Sequence, residues 1–452
     1  MKAGFAAIDI TPALGGQKIG WIKPIPIEAV ADPLFARVAV FAGGHERLGF
    51  VQLDTLSVRW STVQEIRRQV AAACGLPAGN LMVAATHNHS GPAVATVCDV
   101  ARDDAYLAWM MPRVVQAVGA AVDALEEAEI GFASVAEFGL THNRRTALRD
   151  GTTTTHGLGF RHPLALYVEG PIDPEVAVLA ARRPGGALLG ALVNFACHPV
   201  HRGGEPVVTA GFPGVLAAQM AVRGCPHSVF LNGACGNLSP GNPLQPVQPG
   251  MEDIGRRLAE DAFEAIEHMT FLAQMPLGAR QTTVQLPYRC VTDAEVKGAV
   301  RGAQRFVDPT AYDRAMPRLL ERIRERGTQP AEVQVLRLGE VTFTGIPAEF
   351  FVQLGLRIKE AAYPGHGLVV THANGMVGYV PHREAFARGG YETTFGPGWR
   401  LAPEAGDLLV GAADALLRSF QEAAEPRPGA AAKVARKPAA GKGRQAAARR
   451  RG

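Results

Sequence analysis

The segment 81–92 constrains the fold of this chain more than any other, and it has the sequence LMVAATHNHSGP. Its apolar half has the length of a buried strand, and His87 and His89 follow two residues apart. Because side chains alternate between the two faces of a strand, this spacing predicts that both imidazoles point the same way, with Gly91 and Pro92 ending the strand. Such a pair can begin a metal site at the rim of a sheet, or it can be a hydrogen-bonded surface pair.

The rest of the chain supplies the elements of a large α/β protein. Its 452 residues are 47% hydrophobic and 19% charged, enough for an extensive core. Strand-like and helix-like patterns alternate without a fixed-length repeat or an evident linker. We therefore predict a mixed β-sheet core flanked by helices in a single large catalytic domain, residues 1–423. The segment 139–175 is polar and rich in glycine, and we expect a long functional or disordered loop there.

The composition also bears on where the protein is found. No apolar run approaches the roughly 20 residues that a membrane-spanning helix needs, so the sequence predicts no transmembrane segment. Residues 1–12 lack the apolar core of a signal peptide, which leads us to expect a cytoplasmic protein. Six cysteines lie scattered without paired spacing, and we expect buried thiols without a redox role. Nothing in these patterns indicates an oligomeric state.

The last segment, 424–452, has a different composition. It is rich in alanine, glycine and proline. After Glu425 it carries nine lysines or arginines and no acid, so its positive charge exceeds the net charge of +4 of the whole chain. A segment of this kind buries too little apolar surface to fold alone, so we expect a disordered basic tail. Weak contact with anionic lipid or nucleic acid is one role for such a tail, and a solvated tail without a specific partner is the other.

Residues that can bind metals follow other apolar runs. His198 comes after a strand-length run, Glu349 follows a predicted hairpin, and Tyr379 lies in the sequence GMVGYVP. Two imidazoles and a carboxylate around one metal, with a position left for water, form a ligand set that zinc uses in hydrolases. Each residue also has a structural explanation: a core histidine, a first-turn helix carboxylate and a core tyrosine. The repeated placement at strand ends favours the metal site.

A glycine-rich loop with the sequence NGACGNLSPGN occupies residues 232–242 after another strand. Its backbone N–H groups could face a ligand or an oxyanion, and Ser239 presents a hydroxyl before a proline. A polar turn is the alternative, since glycine, asparagine, serine and proline cluster in turns. The loop lacks the Gly-x-Ser-x-Gly elbow of the α/β-hydrolases.

Taken in order, these motifs resemble those of the neutral/alkaline (non-lysosomal) ceramidases, specifically their N-terminal catalytic domain. The resemblance covers about residues 5–399. It rests on seven motifs in the family's order: IDITP at 8–12, THNHSGP at 86–92, NRR at 143–145, FACHP at 195–199, GNLSP at 236–240, PAEF at 347–350 and NGMVGYV at 374–380.

The resemblance implies a zinc ion with four protein ligands, which are His87, His198, Glu349 and Tyr379. It also implies that Ser239 lies beside the metal and that His89 and Arg144 line the substrate amide. The implied reaction is hydrolysis of the N-acyl bond of ceramide or a ceramide-like N-acyl lipid, a step of sphingolipid and lipid metabolism. His89 would carry a proton to the leaving amine, while Tyr379 and Arg144 would stabilise the oxyanion. Either Ser239 or a zinc-activated water could be the nucleophile.

Two departures from the family pattern bear on the substrate. Asn237 replaces the aspartate two residues before the serine, and Gly211 stands where an acidic residue is expected. The predicted pocket rim, at 139–172 and 383–399, combines apolar side chains with arginines in or next to these stretches, namely Arg144, Arg145, Arg149, Arg161, Arg388 and Arg400. A soluble polar or anionic amide or ester is therefore the alternative substrate. A catalytically weak binding protein with a structural metal is a further alternative.

Overall fold

A computed structural model describes residues 1–155, 161–242, 248–306 and 308–424 of the chain. The predicted basic tail lies outside these ranges from residue 425 onward. The strands within them are β1 Lys2–Asp9, β2 Gln17–Ile19, β3 Ile25–Pro26, β4 Ala29–Val30, β5 Phe35–Gly43, β6 Glu46–Leu53, β7 Leu81–Ala85, β8 Gly91–Pro92, β9 Glu126–Glu127, β10 Glu129–Ala136, β11 Thr141–Asn143, β12 Arg145–Leu148, β13 Thr153–Thr155, β14 Ala165–Val168, β15 Glu175–Arg182, β16 Leu188–Phe195, β17 Val207–Val208, β18 Ser228–Asn232, β19 Leu238–Pro240, β20 Phe271–Leu272, β21 Leu277–Pro287, β22 Thr328–Leu338, β23 Val341–Ile346, β24 Glu349–Phe350, β25 His366–Thr371 and β26 Tyr379–Val380.

Two of the longer helices begin at residues whose side chains cap them. Asp103 caps the second helix by accepting a hydrogen bond from the Tyr106 N–H, and Asp308 caps the sixth, which has Pro309 in its first turn. None of the helices in the described ranges is long and apolar enough to span a bilayer. The helices are α1 Trp60–Cys74, α2 Asp104–Asp123, α3 Gly211–Val222, α4 Met251–Glu267, α5 Asp293–Val296, α6 Pro309–Arg326, α7 Val352–Ala361, α8 Ala385–Arg388 and α9 Ala405–Ala424.

Three large sheets form the body of a single mixed α/β domain, as the sequence predicted. Their strand orders are β7-β6-β5-β1-β9, β18-β16-β15-β10-β20 and β21-β22-β23-β25. Most neighbouring strands run antiparallel. Each sheet nevertheless ends in one parallel pair, formed by β6 with β7, β16 with β18, and β23 with β25.

The three sheets face one another across a common apolar core. Alternation along the strands sends Phe41 and Phe50 of the first sheet inward to meet Leu192 of the second and Phe343 of the third. The outward faces are covered by helices: α1 and α2 on the first sheet, α3 and α4 on the second, and α6, α7 and α9 on the third. The strands of the parallel pairs are therefore buried on both faces along most of their length, which accounts for their apolar runs in the sequence, whereas β21 at the edge of the third sheet is largely exposed.

Hydrogen bonds tie the carboxyl ends of the parallel strands together. Asn232 Nδ2 donates to the Thr86 carbonyl oxygen at 3.0 Å, and the Ala85 N–H donates to the His372 carbonyl oxygen at 3.1 Å. Thr371 Oγ1 donates to a carbonyl of the loop after β18 at 2.6 Å. Chain segments leaving all three sheets therefore meet at one place, the usual position of ligand sites in α/β proteins.

One local prediction and one of the structural alternatives were wrong. The segment 139–175 contains the short strands β11 to β14 rather than a long loop, and β12 pairs with both β13 and β14. Its polar residues belong to strands held by buried ion pairs, which a pattern of hydrophobicity does not detect. Glu349 lies in the two-residue strand β24 and not in the first turn of a helix, because α7 begins only at Val352.

Candidate metal centre

The two histidines of the segment 81–92 lie beyond the end of the strand. Strand β7 ends at Ala85, and His87 adopts a left-handed conformation with φ 67°. The two imidazoles do lie together, but strand alternation, the cause that was predicted, is not what aligns them. The turn at His87 instead brings its ring next to that of His89, with ring centroids 4.8 Å apart. A non-glycine residue held at positive φ is a feature that clusters at functional sites.

His198 joins this pair from the second sheet. It follows β16 and is buried, with 1% of its surface exposed. Its Nε2 atom lies 3.0 Å from that of His87 and 3.1 Å from that of His89, and the Nε2 atoms of His87 and His89 are 3.3 Å apart. Three imidazole nitrogens thus converge on one point and form a group that could hold a metal ion.

Backbone carbonyls fix the tautomers of these rings. Each Nδ1 atom lies within hydrogen-bond distance of one carbonyl oxygen: His87 of Leu56 (2.9 Å), His89 of Gly20 (2.8 Å) and His198 of Cys235 (3.1 Å). Because a carbonyl can only accept, each Nδ1 carries a hydrogen, and a neutral ring then has a bare lone pair at Nε2. Burial lowers the pKa of His198 well below its usual value, which keeps that ring neutral.

This donor set fits a bound metal ion. Nitrogen ligands at about 2.0–2.1 Å from a tetrahedral ion stand about 3.3–3.4 Å apart, close to the separations found here. Metal-bound histidines also characteristically donate their second ring nitrogen to a carbonyl or carboxylate, as all three rings do. Three lone pairs aimed at one another repel unless a cation lies between them. Neutral imidazole suits zinc, and it also suits copper, iron and nickel.

Glu349, which follows β23 of the third sheet, brings a carboxylate to the same point. Its Oε2 atom lies 3.4 Å from His87 Nε2. Strand β24 holds it there by pairing in parallel with β26, in a register that sets Glu349 beside Tyr379. The structure therefore brings together His87, His198 and Glu349, three of the four residues that the resemblance implied as ligands.

Tyr379, the fourth, belongs to a buried polar network. Arg144 donates to the Tyr379 hydroxyl at 3.1 Å and to the Gly236 carbonyl oxygen at 2.7 Å, and its Nε pairs with Glu392 at 2.8 Å. Burial and the neighbouring Glu349 carboxylate raise the pKa of Tyr379 well above its usual value, so the phenol keeps its proton. Burial opposes the charge on Arg144, but Tyr379 and Glu392 outweigh it and raise the pKa of the guanidinium.

Ser239 lies in strand β19, opposite His142 of β11. Within the described part of the chain, no hydrogen bond joins its hydroxyl to the three histidines. The N–H groups of Gly233 and Gly236 donate to backbone carbonyls of neighbouring strands, so the interpretation of the loop as an oxyanion site was wrong for these two groups. The position of Ser239 beside the metal therefore rests on the resemblance alone.

His372 is a residue at this site that the sequence analysis missed. It follows β25, and its ring stacks on that of His87 with centroids 4.0 Å apart and planes 17° from parallel. Its Nδ1 atom lies 2.9 Å from Thr371 Oγ1, while its buried Nε2 has no hydrogen-bond partner in the described ranges. A signal existed, because Thr371-His372 after an apolar strand repeats the pattern of Thr86-His87.

Comparison with solved structures gives the fold a name. A crystal structure of the neutral ceramidase from Pseudomonas aeruginosa superposes with a TM-score of 0.70, covering 92% of this chain and 74% of that one at 21% identity. The chain has a neutral ceramidase-like fold. A second structure, described as a ceramidase complexed with C2, matches at a TM-score of 0.70 and 20% identity, covering 92% of this chain and 75% of that one. No protein-family model and no curated protein sequence matches.

The two departures from the ceramidase motifs have structural explanations. The side-chain oxygen Oδ1 of Asn237 accepts a hydrogen bond from the Val352 N–H at 2.9 Å, and its side-chain Nδ2 donates to Gln353 Oε1 at 2.9 Å. A carboxylate could not donate the second bond, so Asn237 anchors the start of α7. At the start of α3, where Gly211 replaces the expected acid, Asp32 accepts a hydrogen bond from the Ala210 N–H at 2.7 Å.

A cavity of about 1010 Å³ opens onto His87 and His89 of the metal group, the set of side chains at the candidate metal site. Its wall includes His87, His89, Glu349 and Tyr379 and the indole rings of Trp21, Trp60 and Trp399. The predicted rim was right only in part. Tyr391, Trp399 and Arg400 line the cavity, whereas Leu148 and Phe395 are core residues. Leu158 and Phe160, also predicted for the rim, lie outside the described residues.

Proposed function

We propose that this protein is a zinc-dependent amidohydrolase that cleaves the N-acyl bond of a ceramide-like compound. The observation that carries the proposal is the convergence of three Nε2 lone pairs beside a carboxylate on the wall of a large cavity. The neutral ceramidase-like fold supports amide bonds as the target. The three indole rings of the cavity supply apolar surface for an acyl chain.

His87, His89 and His198 would hold the zinc ion, with the Glu349 carboxylate as the next available donor. When bound, zinc polarises a carbonyl and lowers the pKa of a water molecule towards about 7. The remaining residues position the substrate. The Tyr379 hydroxyl keeps its proton and offers a hydrogen bond to negative charge that develops on the amide oxygen. Arg144 fixes the position of that hydroxyl and adds a buried positive charge behind it.

The proton-transfer role and the ligand role of His89 exclude each other at Nε2, because a nitrogen that binds a metal has no lone pair left for a proton. The Nδ1 atom is already committed to the Gly20 carbonyl oxygen. The variant His89→Gln separates the roles. As a ligand, His89 is required for full zinc affinity. As a proton carrier, it is required for turnover while the zinc content stays unchanged.

An activity assay with matched metal controls tests the proposal. The protein is stripped with a chelator, reloaded with zinc, and offered N-octanoyl-sphingosine, N-octanoyl-ethanolamine and N-octanoyl-glycine. We expect zinc-dependent release of octanoate from at least one amide and none after stripping. Turnover that survives complete metal removal would contradict the metal-dependent mechanism. Absence of amide cleavage by the zinc-loaded protein would favour a metal-binding protein without this activity.

A further inference from the structure

The cavity beside the metal group is strongly basic. Three acids contribute to its wall, Asp99, Asp104 and Glu349, against seven arginines, which are Arg59, Arg102, Arg314, Arg318, Arg322, Arg326 and Arg400. Ceramide is uncharged, so a wall of this kind is not what its polar group requires. The charge of the cavity therefore carries information about the substrate beyond the amide bond.

Helix α6 supplies four of these arginines from one face. They are spaced four residues apart, from Arg314 to Arg326, which places them on one stripe of the helix. Another face of the helix is apolar, and Tyr312 and Met316 on it are buried in the core. The helix is thus fixed with its basic stripe towards the cavity.

Two of the seven arginines are neutralised by neighbours. Arg314 pairs with Asp99 and Asp308, and Arg102 pairs with Asp104. The other five arginines make no ion pair within the ranges that the structure describes. Among them, the Nε atom of Arg59 is buried without a hydrogen-bond partner, and Arg400, a residue 9% exposed, donates hydrogen bonds to the neutral oxygens of Gln329 and Pro397. A protein rarely buries guanidinium groups without an anion to match them.

These arginines also act on one another. Burial, followed by the charges of Arg102, Arg322 and Arg318, lowers the pKa of Arg59. Burial and the charges of Arg322 and Arg59 lower the pKa of Arg400 to about 10. Like charges thus gather on the cavity wall, and an anion placed among them would relieve their repulsion.

We propose that the cavity binds an anionic group of the substrate, a carboxylate or a phosphate, through Arg59, Arg322 and Arg400. The inference rests on the proposed function, because it identifies the N-acyl substrate of the same site as an acidic one. Guanidinium groups bind both anions through paired hydrogen bonds. The apolar acyl chain would lie against the indole rings, and the anion would lie towards α6.

Three of the arginines that the sequence analysis singled out bond to other protein groups. Arg144 and Arg145 are buried and share the Glu392 carboxylate, and Arg145 also pairs with Glu169. Arg388 bonds the Tyr167 hydroxyl at 2.8 Å. Of the six arginines that the sequence analysis named at the predicted rim, only Arg400 lines the cavity wall. Four of the other six cavity arginines come from α6.

The test compares three substrates with the same acyl chain: N-octanoyl-glycine, N-octanoyl-ethanolamine phosphate and the neutral N-octanoyl-ethanolamine. Zinc-loaded protein is used for both kcat/KM and binding by calorimetry. We expect at least one acidic compound to exceed the neutral one by about tenfold to a hundredfold in both measurements, the range for hydrogen bonds to charged groups. The preferred acid identifies the carboxylate or the phosphate as the anion.

Two variants of α6 make the comparison specific. Arg322→Gln removes a cavity arginine, and Arg324→Gln removes an exposed arginine of the same helix that is absent from the cavity wall. The ratio of kcat/KM for the acidic over the neutral substrate should fall at least tenfold in the first variant and stay at the wild-type value in the second. Two results would overturn the proposal. One is an equal loss of kcat/KM for the acidic and neutral substrates in Arg322→Gln, and the other is a preference of the wild-type protein for the neutral substrate.

The binding measurement keeps this inference separate from the proposed reaction. If no amide is cleaved, preferential binding of the acidic compound that disappears in Arg322→Gln still supports the anion site. If amides are cleaved but calorimetry finds no preference for the acids, the anion site is wrong while the amidohydrolase proposal stands.

Discussion

The Nε2 atoms of His87 and His198 lie 3.0 Å apart, although 111 residues separate the two histidines in the sequence. One follows the first sheet and the other follows the second. Both Nδ1 atoms face carbonyl oxygens and therefore carry the ring hydrogens. The contact between the two Nε2 atoms then has no hydrogen to share, so it cannot be an ordinary hydrogen bond between neutral rings. A shared metal ion resolves the arrangement.

Stacking of His372 on His87 should tune metal affinity. The variant His372→Asn removes the ring, while asparagine tolerates the positive φ of 55° at this position. We expect zinc affinity to fall about tenfold to a hundredfold, as it does when groups that support metal ligands are lost. Competition with a zinc-binding dye measures the effect. The matched control is His366→Asn at the exposed start of the same strand, and an equal loss in both variants would contradict a specific role of the stack.

The buried Glu392 carboxylate should be important for stability, because it pairs with Arg144 and Arg145 at 2.8 Å each. The variant Glu392→Gln leaves two buried guanidinium groups short of a counter-charge. We expect the free energy of unfolding to fall by about 3–5 kcal/mol, measured by denaturant titration. The control Glu126→Gln breaks the exposed pair with Arg183 and should change the free energy by less than about 1 kcal/mol. A change below that value in Glu392→Gln would show that the network is dispensable.

Ser239 tests the part of the account that comes from resemblance alone. If its hydroxyl takes part in the reaction, Ser239→Ala should lower kcat by about a hundredfold or more while zinc remains bound. Ser134→Ala, at an exposed serine of β10, serves as the control. If Ser239→Ala keeps the wild-type kcat, the hydroxyl is not needed for the reaction and the loop 232–242 is a structural turn.

Stability should fall as the pH is lowered through the range in which free histidine takes up a proton. Burial lowers the pKa of His201, so the unfolded chain binds a proton below about pH 6.5 while the folded chain does not. The free energy of unfolding then falls with decreasing pH, by no more than about 1.4 kcal/mol per pH unit for this one group. The variant His201→Phe should flatten the dependence between pH 7.5 and 5.5. An unchanged slope would mean that His201 is protonated in the folded protein.

The sequence was a good guide wherever hydrophobic periodicity or a motif carried the signal. Leu107, Met110, Val114 and Val118 recur at the spacing of an amphipathic helix, and α2 forms there with these side chains buried. The hairpin predicted before Glu349 is formed by β22 and β23. The convergence of His87, His198 and Glu349 followed from their positions after apolar strands, because the parallel strands end at one place.

What the sequence could not reveal depends on tertiary contacts. The left-handed turn at His87 and the pairing of Glu349 with Tyr379 have no local pattern. The positions of arginines in the sequence were also a poor guide to the cavity wall, because the sequence does not show which arginines have buried partners and which face a cavity. Only the fold shows that Arg144 has a buried partner and that the basic stripe of α6 faces a cavity.

Metal content tests the central claim most directly. Elemental analysis of the purified wild-type protein should find close to one zinc ion per chain. His87→Ala and His198→Ala should each lose it and lose amide hydrolysis, with the helical circular dichroism spectrum retained, while the control His227→Ala, at a histidine outside the group, keeps its zinc. Full zinc retention in both ligand variants would contradict the account.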